Sequence, residues 1–443
     1  SQFGEYALVI SIVTVASTIG YGWIEQSVLR FEPQFNSANL IRNAGWLLTA
    51  VSGGIIFLAV VGTLLVASEL GRFSPFFLAG GLLVVASGAF YTLLAVLRVQ
   101  LLSKAVLAAT ATSAILSLCL ALIFALILLD DIVGRVWGAV LGYGLVAFGL
   151  TLFVRNSGQT GRADRELFWK MFHYGVPLIG WMIGRRILDF ADRIIIEVLQ
   201  GSAATGVYAS NYSIIQYGLT LLFVPFVESA QPIIMNLWDG DNKDEIQTTI
   251  TDLTRYLFLL GIPATAVFAV VPELFSTLLL DGVYVKGSNI IPPIALGVFF
   301  WNAALIGQQS IEVQNQTTVL LIGVSIAVAI NIIANVPLVM AYGYFGASLA
   351  TLLSFFVYAC YVYVQTRRYI PWKIAWRDAA VSIAGTGVLL VPFVMRDFLT
   401  TGTLSSAVIA GGVGLVLYAA VVYFFGSITK DEVQKIRMIL SES

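Results

Sequence analysis

Long apolar segments recur along the whole chain and constrain its fold more than any other feature. A helix needs about 20 mostly apolar residues to cross the hydrocarbon core of a bilayer. The sequence predicts thirteen such segments, at residues 4–29, 43–67, 74–97, 104–129, 133–154, 173–199, 204–232, 254–280, 288–311, 317–341, 344–366, 378–397 and 403–426. Only 11% of the residues are charged, whereas soluble domains average about 25%. The sequence therefore predicts an all-α, polytopic helical membrane protein.

The distribution of Lys and Arg predicts the orientation of the chain. Of these 24 residues, 17 fall in connections on one side of the predicted spans and four fall on the other side. Basic residues favour the cytoplasmic side of a membrane. We therefore expect the C-terminus to be cytoplasmic and residue 1 to lie outside. The connections are short, which leaves almost no room for a folded domain outside the membrane.

Five charged residues lie in the middle of the predicted span 173–199. They are Arg185, Arg186, Asp189, Asp192 and Arg193. At 100° per residue, Arg185, Asp189 and Asp192 fall close together on a helix, and the other two lie beside them. Ionisable side chains are costly in hydrocarbon and usually face a protein interior or a water-filled cavity. The pattern therefore indicates a site.

Three arginines against two aspartates give this stripe a net positive charge. We expect it to line a central cavity and to receive an anion, and a diphosphate fits best because the planar guanidinium binds phosphate oxygens bidentately. A structural alternative stays open at this point. In it, Arg185 and Arg193 pair with the two aspartates, in part over i,i+4 steps, only to fix this helix against its neighbours.

A short internal repeat indicates two related halves. Residues 4–12 match residues 206–214 at Gly, Tyr, Ala, Ser and Ile. Many transporters contain such repeats. In the second half a predicted span precedes this element, and in the first half none does. We therefore expect one further helix before residue 1, which makes fourteen spans in all.

Several short motifs resemble those of polysaccharide flippases. Phe-Gly-Glu-Tyr-Ala at 3–7 resembles the element after the family's first helix, and Thr-Gly-Val-Tyr-Ala at 205–209 resembles a later turn. Tyr-Gly-Val-Pro-Leu at 174–178, followed by Asp-Arg-Ile-Ile-Ile at 192–196, resembles the seventh helix. Gly-Tyr-Phe-Gly-Ala at 343–347 resembles the turn before the twelfth. By order and spacing, nearly the whole chain resembles the oligosaccharide-lipid flippases of the multidrug/oligosaccharidyl-lipid/polysaccharide exporter superfamily.

The resemblance implies two pseudo-symmetric six-helix lobes around a central cavity, followed by two extra C-terminal helices. The implied boundaries are 1–154 for the N-terminal lobe without its first helix, 155–172 for a cytoplasmic inter-lobe linker, 173–368 for the C-terminal lobe, 369–426 for the two added helices and 427–443 for a cytoplasmic amphipathic tail.

The resemblance also implies a transporter and no enzyme. The expected substrate is a polyprenyl-diphosphate-linked oligosaccharide, moved by alternating access to the outer leaflet of the cell membrane for glycan assembly. Arg185 and Arg186 would bind the head group and Arg193 would assist. Asp189 and Asp192 would hold the arginines between cycles, titrate, or bind a coupling cation, H⁺ or Na⁺. Membrane lipids and a glycan polymerase or ligase are the expected partners, and no nucleic acid is expected.

Other polar side chains within spans are secondary candidates. Glu25 and Glu228 either line the cavity or lie at helix ends and helix contacts. Four amides either bind sugar hydroxyls or hydrogen-bond between helices: Gln308, Gln309, Asn331 and Asn335. The single histidine and two cysteines lack the spacing of a metal site, so no metal, cofactor or catalytic residue is predicted.

Two other functions are compatible with a polytopic helical chain. An organic-cation exporter of the same superfamily, coupled to a cation, would favour carboxylates over arginines in its cavity. An integral-membrane glycosyltransferase would need acidic catalytic groups on sizeable outer loops, and the short connections leave no room for them. The arginine stripe therefore favours the flippase.

Overall fold

The computed structural model describes residues 10, 12–31, 37–66, 74–100, 102–124, 132–156, 164–239, 242–399 and 404–427. Within these ranges the chain is helical and contains no strand. The first Gly-x-Tyr motif, residues 157–163 of the expected linker and the expected tail beyond residue 427 lie outside the described residues.

The first of two compact units holds the N-terminal helices. A π-helical turn, Thr18–Gly22, precedes α1. The helices are α1 (Trp23–Phe31), α2 (Ser37–Val66), α3 (Ser74–Val99), α4 (Ser103–Ile123) and α5 (Ile132–Asn156). In this unit the ring of Tyr21 packs so closely on Gly88 that a Cβ there would lie 2.1 Å from the ring, and the Tyr21 hydroxyl lies 2.7 Å from that of Ser52. The π turn is thus fixed against two neighbouring helices.

The second unit holds most of the later helices. They are α6 (Arg165–Gln200), α7 (Ser202–Asp239), α8 (Lys243–Val270), α9 (Pro272–Leu279), α10 (Gly282–Val285), α11 (Ile291–Gly307), α12 (Gln309–Glu312), α13 (Thr317–Tyr342), α14 (Tyr344–Thr366), α15 (Trp376–Leu399) and α16 (Leu404–Phe424). The first unit also contains the first part of α6, the end of α7 and the first part of α13. Helix α6 begins at Arg165, inside the stretch that the sequence assigns to the linker.

Ten helices in the described part of the chain are long and apolar enough to cross a membrane. The prediction of a polytopic helical membrane protein is therefore confirmed. The segments predicted at 173–199 and 378–397 are not among the ten, although they form the long helices α6 and α15, of 36 and 24 residues. The predicted segment 4–29 lies partly outside the described residues.

The turn between α13 and α14 explains the glycines of the 343–347 motif. Gly343 has φ +65°, a conformation that a Cβ disfavours. A Cβ at Gly346 would lie 2.0 Å from the carbonyl oxygen of Leu338, so only glycine permits this approach of the two helices. The motif therefore permits the close approach of the end of α13 and the start of α14 at this turn.

The C-terminal helices α15 and α16 attach to a proline bend in α8. Pro263 has no N–H to donate to the carbonyl four residues earlier, that of Leu259. The Tyr418 hydroxyl on α16 donates to that carbonyl instead, at 2.6 Å. Ser382 on α15 donates to the carbonyl of Phe258 at 3.0 Å and lies 2.8 Å from the Tyr418 hydroxyl. Buried hydroxyls thus satisfy backbone groups that lipid cannot satisfy.

Candidate functional site

Arg185 on α6 is held by a carboxylate and two aromatic rings. Its Nη2 lies 3.2 Å from Oδ1 of Asp189, and the two side chains are 23% and 11% exposed. Its guanidinium carbon lies 4.4 Å from the ring centroid of Trp301 on α11 and 5.1 Å from that of Phe355 on α14. The predicted i,i+4 pair is therefore present, and cation–π contacts reinforce it.

Asp192, one turn further along α6, is only 1% exposed and has quite different partners. Tyr208 on α7 donates its hydroxyl to Oδ2 at 2.6 Å, and Asn335 on α13 donates its amide to Oδ1 at 2.6 Å. Thr351 on α14 also donates its hydroxyl to Oδ2. Side chains from three other helices thus converge on one carboxylate.

This arrangement differs from the expectation that Asp192 holds an arginine. Within the described part of the chain, Asp192 forms no ion pair. The three neutral donors already occupy its two oxygens, and they reach it from helices on which no arginine lies close. Its carboxyl group therefore has no cationic partner among the described residues.

Two buried asparagines extend the site around Asp192. Asn335 Nδ2 also donates to Oδ1 of Asn331 at 3.2 Å. Both side chains are fully buried, yet Asn331 Nδ2 and Asn335 Oδ1 have no hydrogen-bond partner within the described ranges. Buried polar atoms usually have a hydrogen-bond partner, so these two amides are candidate members of the site around Asp192.

Arg193 and Arg186 complete the predicted stripe. The guanidinium carbon of Arg193 lies 5.4 Å from the ring centroid of Phe190 and 5.5 Å from that of Tyr212. The i,i+4 pair expected between Asp189 and Arg193 does not form, because Arg193 contacts these rings instead. Arg186 is exposed, and among the described residues it has no ion-pair partner. Arg186 and Arg193 therefore form no ion pair with a carboxylate among the described residues.

The secondary carboxylates are Glu25, which lies in the first unit, and Glu228, which lies on α7. Glu25 Oε1 lies 3.8 Å from Arg98 Nη1 within the first unit. Glu228 is exposed on α7, sixteen residues beyond Tyr212, which corresponds to about 24 Å along a helix. The structure therefore does not add Glu228 to the cluster around Arg185.

The secondary amides fall closer to the cluster. Gln308 Oε1 accepts a hydrogen bond from the Tyr358 hydroxyl at 2.7 Å. The ring of Tyr358 stacks on Trp301 with centroids 4.6 Å apart, so Gln308 is separated from Arg185 by these two rings. Asn331 belongs directly to the Asp192 site. Gln308 and Asn335 therefore make hydrogen bonds between helices, whereas Asn331 bonds within α13 and Gln309 has a buried Oε1 without a partner among the described residues.

Four residues that contact Arg185 or Asp192 were not predicted from the sequence. They are Tyr208, Trp301, Thr351 and Phe355. Tyr208 was detectable, because it is the tyrosine of the Thr-Gly-Val-Tyr-Ala motif and its hydroxyl contacts the aspartate of the Asp-Arg motif. The other three are ordinary residues of apolar segments and carry no local signal.

The cluster combines two kinds of chemistry on one helix. Arginine forks offer donors to an anion with several oxygens. The Asp192 carboxylate, together with amide and hydroxyl oxygens, offers the ligand type that hard cations prefer. Within the described residues no group of three His, Cys, Asp or Glu side chains lies together, so a transition-metal centre is not indicated there.

One relative matches part of the sequence. The probable low-salt glycan biosynthesis flippase of Haloferax volcanii is 24% identical over 188 residues, which cover 42% of this chain and 39% of that protein. The match thus spans about two fifths of the length of this relative.

Two solved structures share the fold. A mutant of the MATE transporter VcmN from Vibrio cholerae superposes with a TM-score of 0.71 at 12% identity, over 82% of this chain and 87% of that one. The lipid II flippase MurJ, in an inward closed conformation, superposes with a TM-score of 0.63 at 14% identity, over 96% and 92%. At these identities the likeness shows the fold alone.

The family itself is shown by the sequence. The family described as "Polysaccharide biosynthesis protein" matches residues 1–238, which is more than half of the 443 residues. The resemblance inferred from the motifs is therefore confirmed. This chain belongs to the polysaccharide biosynthesis protein family, with the helical membrane fold that the MATE transporters and the lipid II flippase share.

Proposed function

We propose that this protein flips a polyprenyl-diphosphate-linked oligosaccharide from the cytoplasmic to the outer leaflet for cell-surface glycan assembly. The observation that carries the proposal is the pair of adjacent arginines in the middle of α6. Arg186 is exposed and has no ion pair among the described residues, and Arg185 keeps a buried Nη1 without a hydrogen-bond partner. The name of the Haloferax relative, a glycan biosynthesis flippase, supports the same substrate class.

The physical reason is the charge of the head group. A diphosphate cannot cross hydrocarbon without a partner, because charges are poorly solvated there. The arginine fork binds two phosphate oxygens at once and stays charged at all relevant pH values. Arg186 and the free Nη1 of Arg185 would bind first, and Arg193 would assist. Asp189 retains Arg185 between cycles, so it competes with the phosphate and favours release.

We assign the coupling cation to the site around Asp192. A carboxylate with two amide and two hydroxyl side chains matches a hard, oxygen-preferring ion such as Na⁺. Bound ligand stabilises the folded protein by mass action. We expect added Na⁺ to raise the unfolding temperature of the wild type and not that of Asp192→Asn. Stabilisation by acid but not by Na⁺ would instead assign a proton.

Other sequence expectations remain part of the proposal. They are the alternating-access cycle, the plasma-membrane location with a cytoplasmic C-terminus, the lobe boundaries at residues 154 and 173, and a glycan polymerase or ligase as a partner. None of them changes the assignment of the arginines.

The proposal is tested by leaflet exchange in liposomes. A fluorescent polyprenyl-diphosphate oligosaccharide is followed with the wild type and with Arg185→Ala/Arg186→Ala. We expect the double variant to lose exchange by roughly tenfold or more, since each lost charge-assisted hydrogen bond costs about that factor. The matched control is Arg367→Ala/Arg368→Ala, an exposed adjacent pair at the end of α14. Full exchange by both double variants would contradict the proposal, and efflux of organic cations without lipid exchange would assign an exporter.

A further inference from the structure

We propose that the segment between α8 and α11, residues 271–290, is a movable cap that opens when a cation binds at Asp192. This inference rests on the proposed function, because it takes Asp192 as the site of the coupling cation, and it adds a conformational response to that site. The cap consists of α9, α10 and a 3₁₀ turn, Ser288–Ile290.

Asn211 on α7 attaches the cap through both ends of its side-chain amide. Its Oδ1 accepts a hydrogen bond from the Ser276 hydroxyl on α9 at 2.6 Å. Its Nδ2 donates to the carbonyl of Tyr284 on α10 at 2.9 Å, and to that of Val207 within α7 at 2.9 Å. Asn211 and Ser276 are both fully buried. One side chain of α7 therefore holds both helices of the cap.

Gly287 brings the backbone of the cap directly onto α7. A Cβ at this position would lie 2.4 Å from Cγ1 of Val207 and 2.6 Å from Nδ2 of Asn211, so the close approach requires glycine. On α14, the Tyr344 hydroxyl donates to the carbonyl of Lys286 at 3.1 Å. The cap thus rests on two helices, α7 and α14.

The two helices that carry the cap also hold Asp192. On α7, Tyr208 donates to Asp192 and precedes Asn211 by three residues, so the two side chains lie about 60° apart around the helix. On α14, Thr351 donates to Asp192 and follows Tyr344 by seven residues, which places both on one face. Each helix therefore contacts the carboxylate with one side chain and the cap with another.

The outer surface of the cap leaves it room to move. Leu279 and Val283 are each 63% exposed, whereas Ser276 and Asn211 beneath them are fully buried. A movement of the cap away from α7 would break the hydrogen bonds of Asn211 and expose the side chain of Ser276. Ser276 is therefore a suitable position for a reporter of the open cap.

Cation binding changes the hydrogen bonds that fix α7 and α14 to α6. Tyr208 and Thr351 direct their hydroxyl hydrogens at the carboxylate of Asp192. A hard cation is bound through the lone pairs of oxygen, so these hydroxyls turn their hydrogens away when it enters. Both helices are then released from α6, and the seat of the cap shifts with them. Because a ligand favours the conformation that binds it better, the filled site favours the open cap.

Chemical labelling of Ser276→Cys measures the opening of the cap. Both native cysteines, Cys119 and Cys360, are replaced by serine in this variant. The rate of reaction with a hydrophilic maleimide is compared in NaCl and in choline chloride at equal concentration. We expect NaCl to raise the rate roughly fivefold or more, the usual range for coupled sites, and Asp192→Asn to abolish this response. Ser382→Cys, equally buried on α15, is the matched control and should react slowly in both salts.

Two further variants should loosen the cap directly. Asn211→Ala removes the amide that holds α9 and α10, and Gly287→Ala pushes the cap away from α7. In choline chloride, we expect Asn211→Ala to raise the labelling rate of Ser276→Cys roughly tenfold, as expected for the loss of one buried hydrogen bond. Gly287→Ala should raise it as well. Asn302→Ala is the matched control for Asn211→Ala, because its buried amide donates within its own helix, α11.

A labelling rate of Ser276→Cys that does not respond to Na⁺ would overturn the inference. A similar rise for Ser382→Cys would also contradict it, since general loosening of the fold would then explain both rates. The unfolding temperature shows which assignment fails. If Na⁺ raises this temperature and leaves the labelling rate unchanged, the cation site stands and only the cap fails. If Na⁺ changes neither quantity, the cation assignment and the cap fail together, while leaflet exchange tests the lipid substrate separately.

Discussion

Asp189 and Asp192 lie one turn apart on the same helix and have opposite surroundings. Asp189 is partly exposed and pairs with Arg185. Asp192 is buried and accepts hydrogen bonds from Tyr208, Asn335 and Thr351. The carboxylate of Asp189 has a guanidinium beside it, whereas that of Asp192 is held by neutral donors. Under the proposed function, the arginines of this helix bind the anionic head group and the buried carboxylate binds the coupling cation.

The largest effect is expected from removal of the buried carboxylate. Asp192→Ala leaves three buried donors without an acceptor, and each such loss is costly. We expect the free energy of unfolding in detergent to fall by about 3 kcal/mol or more. Asp189→Ala is the matched control and should cost about 1 kcal/mol, because its partner is partly solvated. Equal losses for the two variants would remove the distinction between the aspartates.

A smaller effect is expected from one donor of the buried carboxylate. Thr351→Val keeps the shape of the side chain and removes the hydroxyl that donates to Asp192. We expect a loss of about 1–2 kcal/mol in denaturant unfolding, together with weaker stabilisation by Na⁺. Thr277→Val on α9 removes an exposed hydroxyl that donates to the carbonyl of Glu273, and it serves as the control. If both variants behave alike, Thr351 is not a significant partner of Asp192.

The aromatic contact of Arg185 is expected to contribute less to the free energy of unfolding than the groups removed in Asp192→Ala and Thr351→Val. Trp301→Leu keeps an apolar side chain but removes the ring that lies 4.4 Å from the guanidinium. A double-mutant cycle with Arg185→Gln isolates the pair, and we expect a coupling of about 1 kcal/mol. A coupling near zero would show that Asp189 alone holds Arg185.

Arg186 is expected to have the smallest effect on stability. It is exposed and has no ion pair among the described residues. Arg186→Ala should therefore change the free energy of unfolding by less than about 0.5 kcal/mol. The same variant should slow leaflet exchange of the glycan lipid, because its donors are the ones available to phosphate. A marked loss of stability would show that Arg186 helps to fix α6 against its neighbours.

The sequence predicted the features that depend on local spacing. Apolar segment lengths predicted the polytopic fold, and the i,i+4 spacing of Arg185 and Asp189 predicted their ion pair. The partners of Asp192 depend on contacts between distant segments. They lie 16, 143 and 159 residues away along the chain, on three other helices. A single sequence contains no periodicity that connects them.

The prediction for Arg193 shows that helical spacing alone does not determine which partner a side chain contacts. Helical spacing places Arg193 one turn from Asp189, and the sequence offered an ion pair as one alternative. In the folded chain Phe190 and Tyr212 provide ring faces for the guanidinium, and Asp189 already pairs with Arg185. Helical spacing shows which side chains can meet, but competition among the available partners decides which of them do.

The central claim is that the arginines of α6 bind diphosphate, and direct binding tests it most simply. Binding of a polyprenyl diphosphate and of its monophosphate analogue is measured by calorimetry on the detergent-solubilised, full-length protein. The account predicts tighter binding of the diphosphate by the wild type, and a preference that disappears in Arg185→Ala/Arg186→Ala but persists in Arg367→Ala/Arg368→Ala. An undiminished preference in the first double variant would contradict it.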